Sequence, residues 1–121
     1  MVQGKPIRCI IVEDEVHHQE LLLFYLKKIS IVEVVGMYED TVNATMQIEK
    51  KKPDLIFLDI NISGLEGPEF MDLLEHQPKV IMISAHSEEF MKNHYDIPYL
   101  AYIQKPISLE KLQTALETLG Q

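Results

Sequence analysis

The sequence predicts an α/β fold, a doubly wound sandwich in which helices cover both faces of a parallel five-stranded sheet. Three observations lead there. Short apolar runs alternate with longer segments of helical period along the whole chain, the pattern of successive βα units. The first of these runs is of strand length and apolar but for Arg8 near its start, as a strand buried on both faces requires. No repeat, low-complexity tract or Gly/Ser linker interrupts the 121 residues, which read as one domain spanning 1–121.

The first strand is "IRCIIV", Ile7 to Val12. From Glu15 to Ile29, Val16, Leu22, Leu23, Leu26 and Ile29 recur at helical spacing and mark one buried face. "VEVVGMY" is the second strand. The segment from Thr41 to Lys52 follows as a partly exposed helix, with Asp40 as its N-cap and Val42, Thr45, Ile48 and Glu49 in period. Pro53 and Asp54 end it and open the third strand, "LIFLD", which arrives at Asp59. A helix from Gly67 to Glu75 turns Phe70, Leu73 and Leu74 inward. "KVIMIS" is the fourth strand, Glu88 to Tyr95 a fourth helix and "LAYIQ" the fifth strand. Ser108 caps a last helix striped by Leu109, Leu112, Leu116 and Leu119, with Gly120 at its end. Right-handed crossovers and burial of every strand favour the flavodoxin-like order 2-1-3-4-5.

Composition excludes several functions. Nineteen acidic against eleven basic residues give a net charge of -8, which repels a phosphate backbone, so direct nucleic acid binding is not expected. No apolar run approaches the roughly 20 residues of a membrane span, and "MVQGKPIR" lacks a signal-peptide core, so the expected location is cytoplasmic, with no membrane partner. Cys9 is the single cysteine and lies inside the first strand, a structural thiol rather than half of an internal disulfide.

In such sheets ligands bind at the carboxyl ends of the strands. Strand one ends in Glu13-Asp14-Glu15, strand three in Asp59, strand four in Ser84, and strand five runs into Lys105-Pro106. Glu13, Asp14 and Asp59 repel one another as bare anions, and a divalent cation relieves the conflict. An all-oxygen donor set suits Mg²⁺, which keeps several waters rather than a full protein cage. A cation beside a carboxylate, facing a lysine and a hydroxyl, is a site for a phosphoryl group, with Asp59 as nucleophile and Lys105 and Ser84 on the phosphoryl oxygens.

These residues carry a resemblance. "IIVEDE", "PDLIFLDINISGLEG", "VIMISAH" and "YIQKP", in that order and each at the end of its own strand, resemble the receiver domain of bacterial two-component response regulators over essentially the whole chain. The stretch from Ile83 to Ser108 is most similar to receivers that precede a LytTR-type DNA-binding domain. The resemblance implies that Asp59 accepts a phosphoryl group from a sensor histidine kinase. It implies Mg²⁺ held by Asp14, Asp59 and the backbone carbonyl of Asn61, with Glu13 acting through metal-bound water. Tyr102, three residues before Lys105, is implied as an aromatic switch that turns inward when Ser84 moves. The face of the fourth helix, fifth strand and fifth helix is then the surface that changes, with a possible homodimer through it; Lys92, Glu110, Lys111 and Gln113 are its exposed candidates. Such a domain is a switch that assists its own phosphorylation and hydrolysis, not a conventional enzyme. The chain stops just after the last helix, which suits a single-domain regulator or one whose output domain lies elsewhere.

The sequence departs from the common pattern at Glu13, where Asp is more usual, at Ser63 in place of a frequent proline, at Ser84 in place of threonine, and at Ala101 before the tyrosine. Three other functions compete. An aspartate-nucleophile phosphohydrolase usually carries a second acid two residues after the nucleophile, where this chain has Asn61. A flavodoxin-like cofactor protein needs a Gly/Ser/Thr-rich loop after strand one, which is lacking. A receiver-like binding module that works without phosphorylation has no need of the intact acids, serine and lysine. His17 and His18 point about 100° apart on a helix and cannot chelate one metal together, and His76, His86 and His94 have no ligand spacing and read as solvated.

Overall fold

The computed structural model describes residues 5–59, 74–94 and 98–120. Along the chain run β1 (Ile7–Val12), α1 (Val16–Leu26), β2 (Val32–Tyr38), α2 (Thr41–Lys51), β3 (Leu55–Asp59), β4 (Lys79–Ser84), α3 (Glu88–His94), β5 (Ala101–Gln104) and α4 (Leu109–Glu117), closed by a 3₁₀ turn at Thr118–Gly120. Residues 60–73 and 95–97 lie outside the described part, and with them most of the helix expected from Gly67 to Glu75, the loop carrying Asn61, and Tyr95. The sheet is parallel, in the predicted order β2-β1-β3-β4-β5.

Strand alternation sorts the core into two layers. On β1, β3, β4 and β5 the even-numbered Ile10, Val12, Ile56, Leu58, Val80, Met82 and Tyr102 face α2 and α3, packing with Ala44, Ile48 and Met91. The odd-numbered Cys9, Ile11, Leu55, Phe57, Ile81, Ile83 and Ile103 face α1 and α4, packing with Leu22, Leu26, Leu112 and Leu116. The central strands are buried on both sides, so their sequences show no polar alternation.

Both expected side-chain caps form. The Asn43 N–H donates to Asp40 Oδ1 at 2.8 Å, and the Lys111 N–H to Ser108 Oγ at 3.1 Å. α2 ends at Lys52, whose φ of 48° is left-handed and turns the chain into Pro53. β1 and β2 slip register between Cys9 and Ile10, placing Gly36 opposite Ile10. A β-carbon on Gly36 would collide with the Tyr38 ring, which folds back so that its hydroxyl accepts from Lys51 Nζ at 3.1 Å.

Two helical faces differ from the expected ones. Val42 is 71% exposed, and the inward residues of α2 are Ala44 and Ile48. These two, four apart, stack on the sheet, while Val42 lies about 200° around the helix from Ala44. α1 is shorter than expected, with Val16 half exposed at its start and Ile29 buried beyond its end. Among the described residues no helix is long and apolar enough to cross a membrane.

Candidate functional site

Glu13 leaves the end of β1 with each of its polar groups engaged. Its N–H donates to the Tyr38 carbonyl at 3.0 Å, its carbonyl accepts from Gln19 Nε2 at 2.7 Å, and its Oε2 accepts from the Glu15 N–H at 2.9 Å. The residue is almost fully buried. Burial, followed by a hydrogen bond to Asp59, pushes its carboxyl up to about 9; the Glu15 N–H opposes this, and contact with Asp14 adds to it. Asp14 itself is exposed and reaches the cluster through that contact with Glu13.

Asp59 closes β3, and Lys105 approaches it from the end of β5. Lys105 Nζ lies 2.6 Å from Asp59 Oδ2 but 3.5 Å from Glu13 Oε1. The lysine is therefore committed to Asp59, which explains why Glu13 is raised despite a nearby ammonium. Burial pulls the Lys105 pKa down, but the Asp59 and Glu13 carboxylates outweigh it, and the net direction is upward. The Lys105–Pro106 peptide bond is cis. A cavity of about 400 Å³ opens beside these groups, its walls formed by Leu21, Leu22, Ile83, Pro106 and Ile107 and its polar end by Glu13, His18, Asp59 and Lys105.

Ser84 ends β4 fully buried; its Oγ accepts from the His86 N–H at 3.1 Å, and its carbonyl accepts from the Lys105 N–H at 2.7 Å. Tyr102 donates its hydroxyl to the His86 carbonyl at 2.6 Å. Burial raises its phenol, partly offset by a hydrogen bond with Ser84. On the face built from α3, β5 and α4, Lys92 pairs with Glu88 within α3 at 3.9 Å, and Lys111 Nζ joins α4 to the end of β5 by donating to the carbonyls of Gln104 and Pro106 at 2.9 Å each. The charge of Lys111 is thus used within the domain.

The structure brings Glu13, Asp59, Ser84, Lys105 and Tyr102 to one edge of the sheet, with Asp14 beside them, and Asn61 lies outside the described residues. Sequence reasoning missed His18. Its Nδ1 lies 2.9 Å from Lys105 Nζ and 3.4 Å from Glu13 Oε1, and together with Glu13 and Asp59 it forms a group whose ligand atoms lie within 4.8 Å of one another. Weighing His17 and His18 only as a chelating pair hides this, because the first turn of α1 leans over the strand ends and presents one of them alone. His76 also departs from the expected solvated state, being half-buried with a ring nitrogen 2.7 Å from the Pro53 carbonyl. His86 is exposed and stacks on Phe90.

Residues 9–117 match the family model of the response regulator receiver domain. The transcriptional regulatory protein BtsR of Escherichia coli is 32% identical over 117 residues, covering 95% of this chain and 48% of that protein. The sensory transduction protein LytT of Bacillus subtilis is 28% identical over 114 residues, covering 92% of this chain and 47% of that protein. The chain thus spans about half the length of the curated relatives it matches. The solved response regulatory domain of protein MrkE from Klebsiella pneumoniae superimposes with a TM-score of 0.76 at 30% identity, covering 93% of this chain and 94% of that one.

Proposed function

The chain belongs to the response regulator receiver domains of two-component signalling, and on that premise we propose that it is a phosphoacceptor switch in which Asp59 takes a phosphoryl group from a sensor histidine kinase. The observation that carries this reading is the Lys105 ammonium 2.6 Å from the Asp59 carboxylate at the mouth of a cavity. A carboxylate oxygen of Asp59 attacks phosphorus, the O–P bond forms as the P–N bond of the phosphohistidine breaks, and the imidazole leaves with the electron pair. Lys105 lies where it can offset the charge gathering on the phosphoryl oxygens. The Ser84 hydroxyl, whose oxygen already accepts from His86, can donate its proton to one of them.

The donors fit Mg²⁺. Three carboxylates meet at this edge; burial first, and then contact with Asp59 and Asp14, pushes Glu13 up, and a divalent cation would relieve the part that comes from the neighbouring carboxyl groups. Asp14, Asp59 and the Asn61 carbonyl would hold the ion, with Glu13 acting through bound water. When bound, it supplies positive charge to the phosphoryl oxygens.

For output, we assign the switch to Ser84 and Tyr102. Drawing Ser84 toward a phosphoryl group moves the Ser84–His86 segment that holds the phenol, and once the Tyr102 hydroxyl gives up the His86 carbonyl the ring can settle deeper against the Met82 layer. The surface of α3, β5 and α4 changes with it, altering docking or homodimerisation. Acetyl phosphate with Mg²⁺ should add one phosphoryl group to the parent by intact-protein mass spectrometry and none to Asp59→Asn. A variant phosphorylated as well as the parent would remove Asp59 from this role.

A further inference from the structure

We infer that His18 is a positioning residue for Lys105, its Nδ1 being the acceptor that aims the ammonium at Asp59; the inference rests on the phosphoacceptor reading of that carboxylate. An ammonium has three N–H groups and no lone pair. Asp59 Oδ2 accepts at 2.6 Å and His18 Nδ1 stands at 2.9 Å, while Glu13 Oε1 at 3.5 Å is beyond a good hydrogen bond. The other polar atoms near Nδ1 are Glu13 Oε1 at 3.4 Å and Glu15 Oε2 at 3.7 Å, both longer than an N–H···O bond. The lysine is therefore the closest partner of that nitrogen. Because lysine can only donate, Nδ1 carries the lone pair and Nε2 the proton.

Beyond Asp59, the ammonium has Glu13 Oε1 at 3.5 Å and His18 Nδ1 at 2.9 Å, and of these two His18 is the shorter and better placed to hold it. Lys105 is a long side chain crossing a cavity walled by Leu22, Ile83 and Ile107, which can accept no hydrogen bond. One carboxylate fixes the distance of the ammonium but leaves it free to swing about the O···N line, and a second acceptor on α1 removes that freedom. His18 itself is 42% exposed and contributes little to the core, so its place over the strand ends is not explained by packing.

Two measurements test this on the whole 121-residue chain. The ¹⁵N shifts of the His18 ring, in metal-free protein at pH 8, should show an unprotonated Nδ1 and a protonated Nε2; the opposite tautomer overturns the inference whatever Asp59 does. His18→Leu should slow phosphorylation by acetyl phosphate with Mg²⁺ roughly 3- to 10-fold, the size of one typical net hydrogen bond at a partly exposed site. His18→Asn, which keeps an acceptor near the position of Nδ1, should recover most of that loss. Equal rates for His18→Leu and parent, or no recovery in His18→Asn, also overturn it. If the parent gains no phosphoryl group on Asp59, the phosphoacceptor reading fails, and the ring tautomer still decides whether His18 holds the lysine.

Discussion

Cys9 and Glu13 show how one strand sets two ionisable groups apart. Cys9 sits in the middle of β1 with no exposed surface, and burial, followed by the charge of Glu33, pushes its thiol up to about 12. The unfolded chain releases that proton near 9 while the folded chain holds it, so the contribution is fully present below pH 9 and is lost as pH rises through 12. Urea melts should show the parent losing stability faster than Cys9→Ala between pH 9 and 11, by on the order of 1 kcal/mol per pH unit; parallel slopes would contradict it. Glu13, four residues on, is raised first by burial and then by contact with Asp59 and Asp14, a carboxylate contact that a cation would relieve. Mg²⁺ should therefore raise the melting temperature of the parent by mass action, and much less that of Asp14→Ala. Equal stabilisation of the two would place the ion elsewhere. At this scale Asp59, Ser84 and Lys105 were legible because a carboxylate, a hydroxyl and a lysine end apolar runs. His18 was not, because its place depends on how α1 tilts over the sheet, which no local pattern encodes.

The elements divide in the same way. The strands were readable nearly to the residue, since each is an apolar run closed by turn-forming or charged residues. β5 is one residue shorter than "LAYIQ" suggests, although the Leu100 N–H still donates to the Val80 carbonyl at 2.7 Å just ahead of it. Helix faces were less readable where the helix is mostly polar. α2 carries apolar side chains at Val42, Ala44, Met46 and Ile48, and only tertiary contact decides that Ala44 and Ile48 turn inward while Met46 and Val42 remain in solvent. Ile48→Ala should cost about 2–5 kcal/mol and Val42→Ala no more than about 0.5 kcal/mol in urea unfolding. Similar losses at both positions would mean that the helix is rotated. Asp40→Ala should cost about 1 kcal/mol through the lost cap to the Asn43 N–H.

For the whole molecule, sheet order followed from crossover handedness and burial, whereas the sorting of the site between the two core layers did not follow from the motifs. Glu13, Asp59 and Lys105 are odd-numbered and border the α1 layer, lining a cavity with Leu22 and Ile83; Ser84 and Tyr102 are even-numbered and continue the α2 and α3 layer. Tyr102→Ala should accordingly keep phosphorylation of Asp59 while losing the NMR shifts in α3 that beryllofluoride, a phosphoryl mimic, produces in the parent. Loss of both together would show that the layers are not separable. On the proposed reading, Lys105 and His18 meet Asp59 from the α1 side of the sheet while Tyr102 packs on the opposite side, so Ser84, at the end of the strand between them, is the residue through which the two layers would be coupled.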